Sequence, residues 1–535
     1  MRISFSPVIL CFAFVALPFG LHAQTPNDNL GESLQKIHRL FTILETNYVD
    51  RYDAKKATED AIKAVLKELD PHSNYLTAEE VKASNEPLQG SFDGVGIAYN
   101  NDDDTLVIVS TIEDGPADRA GICPGDRILF AGDTLMAGVN ISADRISNLL
   151  RGKKGSEVIL KILREDVKDT LLFKVRRDKI PIESVTASYM ATPEIGYVKV
   201  IRFGAKTVDD LKSALKKLKK QGMQYLVLDL RGNPGGYLHA AVEMVDEFVD
   251  KNELIVYTEG RESKRKDYFT KNGGVFEDGR LAVLIDEGSA SASEIVSGAL
   301  QDLDRGIVVG RRSFGKGLVQ NTYYFADGSA ARITTARYYT PAGRSIQRPY
   351  TKGKDKYYEE LKKRFEHGEL TTLDSIHLPD SLKFLTKSGR TVYGGGGIMP
   401  DIFVPLDSLS TDSVVELLNG KNLFYRFAVR YTNENRKDLI KRFPAFEQFR
   451  KSFHTGPELL DRFSKFCVEK GQPMVWLSLN PNVVKYSEIM IKANIARMIW
   501  GNNEFMAISN ERDPTFIAAV QALESDKLKD LVSSK

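Results

Sequence analysis

Apolar and polar positions divide the chain into stretches of different period. LQKIHRLFTILETNYVD, from Leu34, and ATEDAIKAVLKELDPHS, from Ala57, space apolar residues three and four apart, the helical period. In the second, Ile62, Val65, Leu66 and Leu69 form one stripe, and Pro71 ends the helix. TAEE, from Thr77, has the spacing of a capping box and predicts a third short helix. Between residues 88 and 178 the runs shorten: GVGIAYN, LVIVSTI, DRILFAG and VILKILR predict strands. ISADRISNLLRG, Ile141 to Gly152, reads as an amphipathic helix closed by glycine.

From about 180 to 350, strongly apolar strands alternate with helices. IGYVKVIRF precedes TVDDLKSALKKLKKQG; QYLVLDLRG precedes NPGG and HAAVEMVDEFVD; LAVLIDEG precedes ASEIVSGALQDLD. That alternation predicts a mixed sheet flanked by helices. After Arg348, DKYYEELKKRFEHGEL reads as a charged helix, and residues 410–535 are mostly helical, with Pro444 breaking the first helix. The expected architecture is an α/β mixed-sheet core with a β-rich domain, an N-terminal helical region and a C-terminal helical domain. The expected boundaries are 1–23 leader, 24–87 helical, 88–178 β-rich, 179–405 core with an insert near 350–390, and 406–535 helical.

Composition adds bounds. The 535 residues suffice for several domains, and 42% hydrophobic with 27% charged residues is ordinary for a folded chain. A net charge of +2 gives no reason to invoke nucleic acid. MRISFSPVILCFAFVALPFGLHAQ joins one arginine, an apolar run and Leu21-His22-Ala23, the shape of a secretory leader cleaved after Ala23, with an uncleaved membrane anchor as the alternative. Cys11 lies in that run without a suitable mature start after it, so lipid attachment is not expected. The exported chain keeps Cys123 and Cys467, too few for a disulfide scaffold and expected as buried free thiols, with one bridge as the alternative. The expected location is outside the cytoplasmic membrane, in the periplasm, with peripheral membrane association left open. NDDDT, with Asp102 to Asp104, lacks a calcium-loop pattern, and no metal or cofactor is expected.

Candidate chemistry begins in GSASASEI, Gly288 to Ile295, which joins a buried strand to a helix. Ser289, Ser291 and Ser293 all fit either a nucleophile or a cap, since serine is a good N-cap. GRRSFGKGLVQ carries Lys316 between Gly315 and Gly317. That lysine is either a solvated turn residue or a desolvated amine able to act as a base. LRGNPGG, Leu230 to Gly236, is either a plain strand-to-helix turn or a source of N–H donors for an oxyanion. As a phosphate loop it lacks the Walker A lysine and the dinucleotide spacing.

Taken together, GSASASEI, GRRSFGKGLVQ, LDLRGNPGG, YYTPAGRSIQR, LDPHSNYL and GGGIMPDI resemble the carboxyl-terminal processing proteases, tail-specific serine peptidases with a Ser-Lys dyad. The resemblance covers roughly residues 35–405. It implies that Ser291 is the nucleophile, Lys316 the general base and Gln320 the residue that orients the lysine. It implies an oxyanion hole from the N–H of Ala292 and of Gly235 or Gly236. No histidine is required, and His72 reads as a structural residue of the connection. Residues 88–178 resemble a PDZ domain, and DGVGIAY places Gly94, Val95, Gly96 and Ile97 at its carboxylate-binding loop. The implied function is a serine endopeptidase that takes peptides and proteins with free C-termini. The alternatives are a catalytically silent PDZ adaptor and a peptide-gated protease for exported proteins. A homo-oligomer and an adaptor partner stand as expectations that no residue here specifies.

Overall fold

Leucine- and valine-rich runs form the central sheet of the core. Its order is Val185–Met190, Ile195–Val200, Tyr225–Asp229, Leu281–Ile285, Ile307–Gly310 and Ile402–Phe403. The first pair is antiparallel and the rest are parallel. Parallel strands are covered on both faces, which is why LAVLI and IVVG read as unbroken apolar runs rather than alternating ones. The computed structural model describes residues 28–102, 104–164, 167–472 and 480–525. The expected leader, its cleavage point at Ala23 and Cys11 lie outside them, as does Asp103.

One face of this sheet packs on the helices Thr207–Lys220, Leu238–Val245 and Ala292–Asp302, through Leu211, Leu215, Met244, Ile295 and Leu300. The other face is covered by the last helix, Pro514–Glu524. Its Phe516, Ala519 and Leu523 cluster with Tyr197, Val227, Ala282, Leu284 and Val309. Asp513, the N-cap of that helix, also pairs with Arg231 at 2.6 Å. Arg231 in turn pairs with the fully buried Asp229, which also holds Lys199 and accepts from the Tyr197 hydroxyl. Burial alone would raise the Asp229 carboxyl, but the two cations hold it well below its ordinary range. LDLR thus carries a buried ion network that ties the sheet to the helix Pro514–Glu524.

A second, antiparallel sheet stands beside the first. Leu318–Tyr324, Asn74–Leu76 and Leu254–Glu259 all pair with Ala330–Tyr339, and Lys266–Phe269 pairs with Leu254–Glu259. The three residues after LDPHS therefore enter the core as a strand. The next helix, Ala78–Gln89, starts on the expected capping box of Thr77 and Glu80. Residues 97–176 form a separate sheet with its own core of Leu106, Ile108, Ile128, Leu160 and Ile162. The helix Ala143–Leu150 packs Ile146 and Leu150 into that core. The ribbon Ser91–Gly94 with Asp178–Pro181 closes its base. Between residues 414 and 501 a phenylalanine-rich core includes Phe424, Phe427, Phe449 and Phe463. Pro444 separates the helices Leu423–Arg442 and Phe446–Ser452.

The chain divides into two compact units between Val65 and Leu66. In the first, the helix Asp28–Asn47 leaves Leu30, Leu34, Ile37 and Leu40 exposed. Among the described residues no helix is long and apolar enough to cross a membrane. The cysteines correct one expectation. Both are free, but only Cys467 is buried; Cys123 is exposed, because its turn is fixed by its N–H donating to Asp126 at 2.9 Å while the thiol stays at the surface. Burial pushes the Cys467 thiol up to about 12.

Removing the ring that the last helix places on the sheet tests this packing. Phe516→Ala is expected to destabilise the core by about 3–5 kcal/mol. Urea unfolding of the full chain, followed by intrinsic fluorescence, reads the shift; an unchanged midpoint contradicts the packing.

Candidate active site

The strand Leu281–Ile285 delivers the serine-rich turn. Asp286 fixes its start by accepting from the N–H groups of Gly232 and Gly288 at 2.8 and 3.0 Å. Ser289 donates to the Leu230 carbonyl at 2.9 Å, and Ser293 donates to the Asn233 carbonyl at 2.8 Å. Two of the three candidate serines thus stitch their turn to LRGNPGG. Ser291 stands between them, immediately before the helix Ala292–Asp302, with φ of 56° and ψ of −111°. Positive φ is costly for a residue with a Cβ, and such strain persists only where the surroundings impose it.

Those surroundings include Gly235 and Gly236. A Cβ on Gly235 would lie 2.8 Å from the Ser291 Cβ and 2.7 Å from the Ala290 carbonyl oxygen; one on Gly236 would lie 2.1 Å from the Phe203 carbonyl oxygen. Only glycine lets the NPGG turn press against the serine. The Gly235 N–H donates to Asn233 Oδ1 at 2.9 Å. Ala292 is the first residue of its helix, where an N–H has no intrahelical acceptor.

Lys316 arrives on the loop after Ile307–Gly310. The Phe314 N–H donates to the Ser289 carbonyl at 2.9 Å, which brings this loop onto the serine turn. Burial lowers the Lys316 amine from its ordinary range, and the Arg332 guanidinium lowers it further. Its Nζ donates to Gln320 Oε1 at 3.1 Å. Ser291, Lys316, Gln320, Gly235, Gly236 and Ala292 all line one cleft of about 1010 Å³, with Ile295 and Leu318 among its apolar walls.

Glu294 joins the two halves. Its side chain is fully buried and accepts four hydrogen bonds. Oε1 takes the Ser313 hydroxyl at 2.5 Å and the Gly315 N–H at 2.7 Å; Oε2 takes the Ser291 N–H at 2.8 Å and the Lys316 N–H at 2.9 Å. Burial holds its carboxyl above the ordinary range, against the pull of those donors. On the opposite side, the Tyr338 hydroxyl meets the carbonyls of both Ser291 and Lys316. Neither residue had been given a role from sequence. Glu294 lies three positions after Ser291, the spacing of a capping box, so a local signal existed. Tyr338 had none.

Other motif residues brace the lysine loop. Gln347 Oε1 accepts from the Gly317 N–H at 2.8 Å, and the Arg348 guanidinium stacks on Phe314 and Tyr357. Arg364, from the inserted helix Lys354–Glu366, donates to the carbonyls of Ser313 and Gly396. His72, read from sequence as part of a connection, reaches the site: its backbone carbonyl accepts from Gln320 Nε2 at 2.6 Å. Its imidazole faces Tyr357 and is pushed down to about 3, first by burial and then by Lys316, so the ring is neutral.

The residues Gly94, Val95, Gly96 and Ile97 form the turn into the first long strand of the β-rich domain. Val95 is buried in that domain's core, and Gly96 has φ of 75°. Arg151, at the end of the helix Ala143–Leu150, stacks over Phe92 and pairs with Glu86. Glu86 lies on the helix Ala78–Gln89, whose Ser84, Asn85 and Leu88 line the cleft.

A β-rich domain joined to an α/β core with a serine and a buried lysine in one cleft defines a PDZ-bearing serine peptidase. Comparison with known proteins agrees. Residues 194–353 match the model of peptidase family S41, residues 94–175 match the PDZ domain, and residues 414–501 match a family of unknown function (DUF8443). The chain is 35% identical to the carboxy-terminal processing protease CtpB of Bacillus subtilis over 62% of its own length and 69% of the relative's. It is 39% identical to a carboxy-terminal-processing protease of Bartonella bacilliformis over 60% and 74%. It is 36% identical to a probable CtpA-like serine protease of Staphylococcus epidermidis over 60% and 64%, so the chain spans about two thirds of the length of the relatives it matches. Among solved structures, the photosystem II D1 C-terminal processing protease matches with 28% identity and a TM-score of 0.36, over 71% of this chain and 89% of that one. The chain belongs to peptidase family S41.

The Glu294 bridge makes a prediction. Glu294→Gln puts an NH₂ group against N–H donors in a buried site, and activity is expected to fall by about tenfold or more. Peptide hydrolysis beside a thermal unfolding curve checks it; full activity at unchanged stability contradicts the bridge.

Proposed function

We propose that this chain is a serine endopeptidase that cleaves exported proteins near their C-termini, with Ser291 as nucleophile and Lys316 as general base. The observation that carries the reading is the shared Glu294 oxygen, which ties the backbone of Ser291 to that of Lys316 beside a desolvated amine. As Ser291 Oγ bonds to the peptide carbonyl carbon, its proton passes to the neutral Lys316 Nζ. The carbonyl oxygen becomes an oxyanion held by main-chain N–H groups. Ala292 is one donor, and Gly236 is the second, because the Gly235 N–H is engaged by Asn233. When the C–N bond breaks, Lys316 returns the proton to the leaving amine. Water then attacks the acyl-enzyme and gives its proton to Lys316, and Ser291 leaves with that proton. Gln320 accepts from the lysine without adding a charge that would raise its pKa.

The turn Gly94–Ile97 supplies backbone N–H groups to the substrate's terminal carboxylate, and the tail adds as a strand to Ile97–Asp102. The leader of residues 1–23 supports a periplasmic site of action. A silent adaptor is disfavoured by the assembled lysine and glutamine, which peptide capture alone does not need.

Ser291→Ala and Lys316→Ala are each expected to lower peptide cleavage by about 10⁴-fold or more. Amidating the substrate's C-terminus is expected to weaken cleavage of a long peptide. Either variant retaining full activity ends the dyad assignment, and an unchanged rate on the amidated peptide ends carboxylate capture.

The pH profile follows from the lysine's surroundings. Lys316 acts only when neutral, so kcat/KM rises with pH through its lowered pKa. Arg332→Gln removes a nearby positive charge, which moves that pKa up. The rising limb is expected to shift to higher pH, with activity lost near neutrality and retained at the alkaline plateau. A limb that stays in place or moves to lower pH contradicts the assignment.

A further inference from the structure

The orientation of Gln320 is set from a part of the chain that the dyad chemistry does not otherwise use. A glutamine amide has an acceptor end and a donor end, and either can face a neighbour. If the NH₂ end faced Lys316, it would donate to the lone pair that the neutral amine needs as a base, and would oppose a second donor when the amine is protonated. The His72 carbonyl excludes that arrangement, because a carbonyl oxygen only accepts. It takes Gln320 Nε2 at 2.6 Å, so Oε1 must face Lys316 Nζ, at 3.1 Å.

The His72 carbonyl is itself fixed by the turn Asp70-Pro71-His72-Ser73. Proline restricts its own φ and the conformation of the residue before it. Asp70 Oδ1 accepts from the N–H groups of His72 and Ser73, at 2.7 and 2.8 Å, which closes an Asx turn. Asp70 Oδ2 accepts from the Ser73 hydroxyl at 2.5 Å. Ser73 Oγ in turn accepts from the Thr334 N–H at 3.1 Å. Thr334 is the cross-strand partner of Gln320, and the pairing shifts by one residue between Val319 and Gln320. Such an irregularity re-aims a side chain. Both Asp70 and Ser73 are buried, at 8% and 2% exposure, so water does not compete for these bonds. Burial would raise the Asp70 carboxyl, but its Ser73 and His72 donors hold it below the ordinary range, so it is an anion at neutral pH. The His72 ring meets Tyr357 of the inserted helix at 3.0 Å, which clasps the turn from outside.

We propose that Asp70 is a positioning residue of the peptidase site: through the Asp70–Ser73 turn it aims the His72 carbonyl at Gln320 and so fixes the acceptor that holds Lys316. This rests on the dyad reading above. Asp70 touches neither substrate nor the reacting atoms. Its effect therefore passes through Gln320, and a double-mutant cycle between the two isolates it.

The experiment is peptide cleavage by the full mature chain carrying Asp70→Ala, Asp70→Asn, Gln320→Ala and the pair Asp70→Ala with Gln320→Ala. Asp70→Ala is expected to lower kcat by about tenfold to a hundredfold, the loss that a small misplacement of a reacting group produces, with KM changed by less than about twofold. Asp70→Asn keeps an oxygen for both N–H donors and can donate to Ser73 Oγ. It is expected to restore kcat to within about threefold of the native chain. In the double variant kcat is expected to match Gln320→Ala to within about twofold. Losses that multiply, an unaffected kcat in Asp70→Ala, or an Asn variant as poor as the Ala variant each overturn the proposal. If Asp70→Ala does not fold, Ser73→Ala takes its place in the same cycle under the same criteria. Ser291→Ala and Lys316→Ala run alongside: activity in either overturns the dyad itself. Two inactive dyad variants with a multiplicative Asp70 cycle overturn only the positioning role.

Discussion

One carboxylate oxygen decides whether Ser291 and Lys316 share a frame. Glu294 Oε2 accepts from the N–H of Ser291 and from the N–H of Lys316, two residues on different loops of the sheet. A hydrogen bond to a buried charge is stronger than one between neutral groups, and an unpaired buried carboxylate is expensive. The carboxylate is therefore satisfied only when both loops are in place. Its other oxygen binds Ser313 and Gly315, which fixes the approach of the lysine loop as well as its end. Tyr338 does the same from the carbonyl side. Two side chains thus hold the peptide groups around Ser291 and Lys316 on both edges, and the strained φ of Ser291 is sustained by that over-determination.

The parallel sheet makes this meeting possible. In an open sheet of this kind the loops beyond the carboxyl ends of neighbouring strands lie side by side. NPGG follows Tyr225–Asp229, the serine turn follows Leu281–Ile285, and the lysine loop follows Ile307–Gly310, on three adjacent strands. The antiparallel sheet then supplies what the parallel one cannot: Gln320, Tyr338 and the turn at residues 70–73.

Much of this was legible in the sequence, and what was legible was local. Apolar runs marked the buried strands, and small residues after LAVLI marked a strand-to-helix turn. The order of motifs carried the family resemblance, and with it the PDZ domain and the dyad candidates. The illegible parts were long-range contacts between individually ordinary residues. His72 read as a connector because its role lies in its carbonyl, which every residue has. Tyr338 read as one of several strand aromatics. Cys123 read as a buried free thiol, whereas its turn, closed by Asp126, leaves the thiol outside. The role of Phe516 and Leu523 as the second cover of the core sheet could not be read from a helical period, which gives a buried face without saying what it meets.

The amine of Lys316 is held by a chain of contacts that spans the whole core. Gln320 faces it, His72 holds Gln320, Asp70 shapes the turn of His72, and Thr334 pins that turn to the strand beside Gln320. Tyr357 of the inserted helix meets the same imidazole. These contacts join residues separated by up to 285 positions in sequence, and the Tyr358 bond to the Pro71 carbonyl spans 287. Closing loops of that length is entropically unfavourable and is offset only when many contacts form together. The Lys316 amine is therefore desolvated only where both sheets and the insert are assembled around it. Outside that assembly it is hydrated, and a hydrated lysine is protonated at neutral pH. On the proposed dyad, the buried lysine couples chemical competence to completed folding, which a base that is already neutral in water at that pH would not do.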